Sequence, residues 1–161
     1  GNGWRVPEHD AMGELRAIYG NVRRTVRYTH DTHGLDTFRR PRRTLELGMG
    51  DCDDASSLIG AMASAAGYPV GLRIVRTNGN EDWNHVYNVV GIPRENPSRW
   101  VPIDGTVDKG VGWEVPSNQV DDMRTYEVSG TAIKTLSGDL LQGFAWAPFG
   151  LAVLAWWIAG R

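Results

Sequence analysis

Two runs rich in β-forming side chains, Val70 to Arg76 and Trp83 to Val90, stand on either side of Asn78-Gly79. Asn-Gly tolerates the left-handed backbone of a tight reversal, so this arrangement predicts an antiparallel hairpin with His85, Tyr87 and Val89 on one face of its second strand. Just upstream, Leu58, Ile59, Met62 and Ala66 recur at helical spacing. Asp51 stands at the N-cap position, Asp54 three residues on is placed to do part of the work of a capping-box acid, and Gly67 with Pro69 behind it is a natural stop. These signals predict a helix over Cys52 to Ala66. An earlier helix is expected from Pro7 to Thr29, because Met12, Leu15, Tyr19, Val22 and Val26 share one face. Arg16, Arg23, Arg24 and Arg27 fall mostly off that face and are expected in solvent. Gly34 and Pro41 mark His30 to Arg43 as a loop. Downstream, Trp100 to Asp104 reads as a short strand confined to an edge or an end by Pro102, and Gln119 to Val128 as another. Helices first, then antiparallel strands, is an α+β order.

The chain has 161 residues, enough for one domain with its own core. One cysteine excludes a disulfide framework and a multi-cysteine zinc site. A formal charge of -2 with 22% charged residues argues against disorder and against a generally basic nucleic-acid binder. Nine arginines stand against six acids before Gly50, and seven of the nine lie between Arg23 and Arg43. With a pI of about 6.1, a solvated face explains them better than a nucleic-acid surface. His30-Asp31-Thr32-His33 is a loop pair without the matching second half a zinc site needs. The first residue is Gly1, which fits a processed chain or a piece of a longer one, and Gly1 to Asp10 carries no apolar region of a signal peptide.

From Leu140 to Gly160 no residue is charged, and three of the seven tryptophans lie there. As a helix this stretch would span about 31 Å, close to a bilayer core, yet Gln142, Gly143, Pro148 and Gly150 weaken a helix. It suits a membrane contact or packing into an oligomer or larger assembly equally well. The expected division is a domain over 1–137 and an uncharged hydrophobic tail over 138–161.

The reactive chemistry gathers at Cys52. A free thiol with a pKa near 8.5 is only a few per cent thiolate at neutral pH; a helix N-terminus and a neighbouring histidine raise that fraction. Cys52 opens its helix, His85 is the best placed base, and Asp104, at a strand end before Gly105, is placed to accept from the far nitrogen of His85 and fix its tautomer. The acids Asp51, Asp53 and Asp54 could instead hold a cation with His85, but their spacing lacks the alternate positions and internal glycine of a calcium loop, so no metal and no cofactor are expected.

Gly50-Asp-Cys52-Asp-Asp54, Ala66-Gly-Tyr-Pro69 with Arg73 after it, Asn84-His85-Val-Tyr87 and Trp100-Val-Pro-Ile-Asp104-Gly-Thr106 together resemble the transglutaminase-like cysteine peptidase superfamily. The resemblance runs from Thr44 to Thr106 and is nearer to bacterial and bacteriophage members than to the animal cross-linking enzymes. It implies a papain-like fold in which a helix-borne Cys52, a strand-borne His85 and Asp104 form a triad. The family usually places an apolar residue after its Cys, often Ala-Trp after its His, and commonly Asp-Pro-Thr at its Asp; here stand Asp53-Asp54, Val86-Tyr87 and Asp104-Gly105-Thr106. The implied activity is a thiol-dependent amide hydrolase or acyl transferase on a peptide, isopeptide or cell-wall amide. The Cys52 backbone N–H would supply part of the oxyanion hole, with Trp83 or Asn84 in position for the second donor. The rival reading is a non-catalytic structural or interaction subunit that keeps the fold, such as a virion component. The two acids beside Cys52 and the uncharged tail motivate it.

Overall fold

A computed structural model describes residues 10–30, 39–129 and 132–135. The tail from Leu140 to Gly160, the domain boundary drawn at 137 and most of the His30-to-His33 pair lie outside the described residues. Among the described residues no helix is long and apolar enough to cross a membrane.

Helix α1 spans Ala11–Thr25 and is capped by Asp10, whose side chain accepts from the Gly13 N–H at 2.8 Å. The apolar spacing continues to Val26, which is buried, but the helix stops at Thr25 because the chain turns extended there. Strand β1, Arg27–Tyr28, then pairs in parallel with β2, Met49–Gly50, through Arg27 N–H to Gly48 O and Thr29 N–H to Gly50 O, both 2.9 Å. Between them lies α2, Pro41–Leu47, where the sequence suggested loop as far as Arg43. Pro41 starts this helix rather than breaking one, since its fixed φ and missing N–H cost nothing in a first turn. Gly48, at φ 63°, closes it in the left-handed conformation that glycine adopts without strain.

Helix α3, Cys52–Ala65, follows β2 directly and matches expectation to within one residue. The remaining strands are β3 (Val70–Thr77), β4 (His85–Ile92), β5 (Arg99–Ile103), β6 (Val120–Ser129) and β7 (Ala132–Thr135). They form one antiparallel sheet in the order β5-β4-β3-β6-β7. Asn78 and Gly79 both take positive φ, at 57° and 75°, as the hairpin reading requires. The reversal continues to Asn84, so β4 begins at His85 rather than at Trp83. β5 lies at the sheet edge, where Pro102 removes no hydrogen bond from an inner ladder. α1 and α3 cover one face of the sheet, and Leu15, Ile18 and Val22 of α1, Leu58, Ile59 and Ala63 of α3, and Val90, Val101 and Ile103 of the sheet form the core. Helices packed on an antiparallel sheet make this an α+β fold.

Candidate active site

Gly50 sets where α3 begins. A Cβ there would lie 2.6 Å from the Asp54 Cβ, so only glycine lets β2 pass this close to the first turn of the helix. Asp51 then caps the helix, its carboxylate accepting from the Asp54 N–H. Cys52 is the first helical residue and is partly exposed. Its backbone N–H is one of the first-turn donors that have no acceptor within the helix.

His85 stands at the start of β4, opposite Val75 of β3. Its Nε2 lies 2.6 Å from Asp104 Oδ2. After Asp104, Cys52 is the second group whose hydrogen bonding and charge act on this imidazole. Burial works against a charged His85, but the hydrogen bonds and charges of Asp104 and Cys52 outweigh it and leave the imidazole pKa raised to about 9. Asp104 follows β5 and is 2% exposed. Burial alone would raise its pKa, but His85 and Thr106 overturn that and hold the carboxyl below its ordinary value. The three residues singled out in the sequence therefore meet at one place, from a helix start, a strand start and a strand end.

The supporting residues were less visible in the sequence. Asp104 Oδ1 accepts from the backbone N–H of Thr106 at 2.9 Å and from its hydroxyl at 2.6 Å, so both carboxylate oxygens are engaged and the group cannot rotate freely. The signal was present in Asp-Gly-Thr, a spacing at which a side chain bonds its own backbone two residues on. Arg23, expected in solvent, instead donates to the carbonyls of Gly105 and Thr106 at 3.4 and 3.2 Å. Tyr19, one turn earlier on α1, donates to Val107 O at 2.7 Å and accepts from Gly110 N–H at 3.1 Å. α1 thus clamps the turn that carries Asp104. On the sheet, Arg73 donates to Thr125 at 2.9 Å and pairs with Glu114, tying β3 to β6 and to the segment after β5.

Trp83 and Asn84 lie where the hairpin holds them. Asn84 donates its backbone N–H to Val75 O at 3.2 Å and its amide to the Thr77 hydroxyl at 2.9 Å, while its amide oxygen accepts from Thr77 N–H at 2.8 Å. The Trp83 ring takes the Arg124 guanidinium 5.0 Å from its centroid.

Among the acids, Asp54 does not act as a capping-box residue. It is fully buried, accepts from the Arg39 backbone N–H at 2.8 Å and forms an ion pair with the Arg39 guanidinium. Burial raises the Asp54 pKa in spite of that pair. Asp53 is pushed up to about 8, first by burial and then by a hydrogen bond to Asp51 and the charges of Asp51 and Asp54. Asp51, Asp53 and Asp54 bring carboxylate oxygens within 4.8 Å of one another. Among the described residues this is the group of acids and imidazoles close enough to share a metal ion.

Cys52 at a helix start, His85 at a strand start and the buried Asp104 beyond a strand end stand together on helices packed against an antiparallel sheet. The family model of the Transglutaminase-like superfamily matches residues 4–105, and the chain belongs to that superfamily, a family of peptidases and transferases. The matched region takes in α1 as well as the segment from Thr44 on, in keeping with the contacts between α1 and the Asp104 turn. Among solved structures, the calcium-bound form of LapG from Legionella pneumophila shares the fold at a TM-score of 0.59 and 13% sequence identity, over 88% of this chain and 78% of that one. No curated protein matches the sequence.

Proposed function

We propose that the protein is a thiol-dependent amide hydrolase or acyl transferase acting on a peptide, isopeptide or cell-wall amide through Cys52, His85 and Asp104. The observation that carries this reading is the 2.6 Å contact between His85 Nε2 and the buried Asp104, with Cys52 near enough to help raise the pKa of that imidazole. In this scheme His85 holds the proton removed from Cys52, and the sulfur attacks the amide carbonyl carbon. The carbonyl π pair moves onto oxygen, beside the free N–H of Cys52 at the helix start. When the oxyanion collapses, the C–N bond breaks and His85 delivers its proton to the departing amine. The thioester left on Cys52 passes its acyl group to water in a hydrolase or to an amine in a transferase. Asp104 keeps the imidazole in the tautomer and orientation these transfers need.

The test is alkylation of Cys52 by iodoacetamide at pH 7 in the wild type and in His85→Ala. The wild type is expected to react roughly tenfold or more faster than free cysteine, an advantage that the alanine variant loses. A Cys52 that reacts like free cysteine and ignores His85→Ala would sink the proposal and favour the non-catalytic subunit.

A second reading concerns the acids beside Cys52, and it departs from the metal-free expectation that their sequence spacing suggested. LapG is solved with calcium bound, and Ca²⁺ takes hard oxygen ligands. Asp51 and Asp53 are the residues that would hold such an ion, since Arg39 already neutralises Asp54. A cation there would stand in for the proton on Asp53 and hold the first turn of α3 in place. Ca²⁺ added to EDTA-treated protein is expected to raise the melting temperature, with no effect on Asp53→Asn. A melting temperature indifferent to Ca²⁺ removes this reading and leaves the thiol chemistry standing.

A further inference from the structure

An oxyanion needs two donors, and the helix start supplies one, the Cys52 N–H. Asn84 has its backbone N–H and one amide hydrogen committed to Val75 and Thr77, and the Trp83 ring is turned to Arg124. Another donor stands on the strand that pairs with the segment leading into α3. Tyr28 lies on β1, hydrogen-bonded in parallel register against β2, with Gly50 as its partner two residues before Cys52. Thr29 N–H to Gly50 O, at 2.9 Å, locks that register. Paired residues of a ladder project to the same side. Gly50 has no side chain, so the phenol is the side chain of that rung, beside the start of α3. The ring is held edge-on by His30, with centroids 5.0 Å apart and planes at 85°. It is 39% exposed, open to an incoming ligand. The pairing with Gly50 sets Tyr28 against the residue two before Cys52, at the N-terminal end of α3. Burial first, then the charges of Cys52, Asp51, Asp104 and Asp53, push its pKa up to about 12, which keeps the hydroxyl a neutral donor wherever the thiol chemistry runs.

We propose that the Tyr28 hydroxyl donates the second hydrogen bond to the oxyanion formed when Cys52 attacks a carbonyl. This inference rests on Cys52 being the nucleophile. No proton is transferred from Tyr28: the O–H bond stays intact while the carbonyl π pair moves onto oxygen, the donor stabilises that charge, and the pair returns when the leaving group departs.

Two reactions of the same sulfur separate this role from others. Acylation by p-nitrophenyl acetate passes through an oxyanion and releases p-nitrophenolate, whereas alkylation by iodoacetamide displaces iodide at an sp³ carbon and forms no oxyanion. In Tyr28→Phe, which keeps the ring and its contact with His30, acylation is expected to slow about 10²-fold or more, the loss seen when one oxyanion donor is removed. Alkylation is expected to stay within about twofold of wild type, the size of change that a missing oxyanion donor leaves untouched. Because Tyr28 is 39% exposed, the variant should melt close to wild type. If acylation and alkylation are both unchanged, or both fall together, Tyr28 is not an oxyanion donor. If wild-type Cys52 shows no enhanced reactivity toward either reagent, it is the underlying function that fails rather than the role of Tyr28.

Discussion

Asp104 has both carboxylate oxygens engaged, Oδ2 by His85 and Oδ1 by Thr106, and it is almost wholly buried. Its replacement by asparagine therefore tests orientation with little change of volume. An asparagine oxygen can still accept from Thr106, but the NH₂ then faces His85 and selects the wrong tautomer. Asp104→Asn is expected to lower acyl transfer by about 10²–10⁴-fold, the range for loss of an orienting carboxylate, while the circular dichroism spectrum stays that of the wild type. A variant within a few-fold of wild type in p-nitrophenyl acetate turnover would show that Asp104 has no part in the chemistry. At this scale the sequence carried the proposed triad better than the residues that support it. Cys52, His85 and Asp104 stand out because thiol, imidazole and carboxylate have few structural substitutes at a helix start, a strand and a strand end. Arg23 was misjudged because helical periodicity places it off the apolar face; only the loop after β5, folding back over α1, gives its guanidinium two carbonyls to hold.

Among the elements, α3 was the most legible, since its cap, apolar face and stop glycine all agree. α2 was missed because Pro41 reads as a breaker unless it is recognised as a first-turn residue. β1 and β2, two residues each, are too short for any periodicity to show, yet their pairing sets Tyr28 opposite Gly50, two residues before Cys52. The meeting of elements is tightest at Gly105, where an added Cβ would lie 2.8 Å from Ile59 Cδ1 of α3 and 3.4 Å from Val22 Cγ1 of α1. Gly105→Ala is expected to cost about 1–3 kcal/mol by overpacking and to disturb Asp104 next to it. Ile59→Val removes the Cδ1 methyl that the new Cβ meets, at a cost of about 0.5–1.5 kcal/mol alone. In urea melts the double variant should therefore be more stable than the sum of the two losses allows. Simple additivity would show that the Asp104 turn moves freely away from α3.

For the whole molecule, strand order was the hidden part. The run β3-β4-β5 follows from the hairpin signal and from Pro102, but the chain then returns to the far side of β3 to lay down β6 and β7. That return depends on which edge is left unpaired, a property of the packed sheet rather than of any local window. The same assembly ties the site to global stability, with a definite sign. His85 has a folded-state pKa raised from 6.5 to about 9, so its contribution is fully present below pH 6.5 and is lost as pH rises through 9. Asp104, held below its ordinary 3.8, contributes above that value and loses its contribution as pH falls through the folded-state pKa. Asp53, raised from 3.8 to about 8, adds a second decline: as pH rises between those values the unfolded chain ionises it freely while the folded one resists. Both declines run the same way, so in EDTA the protein is expected to be most stable near pH 4 and to weaken steadily from there toward pH 9. Two variants divide the slope. Asp53→Asn should flatten the part between about pH 4 and 8, because asparagine carries no proton to lose. Asp104→Asn should flatten the part between about 6.5 and 9, because His85 loses the carboxylate that raises its pKa. Denaturant melts across pH measure both, and a wild-type stability that climbs from pH 6 to 9 would show that neither His85 nor Asp53 titrates as this buried site demands.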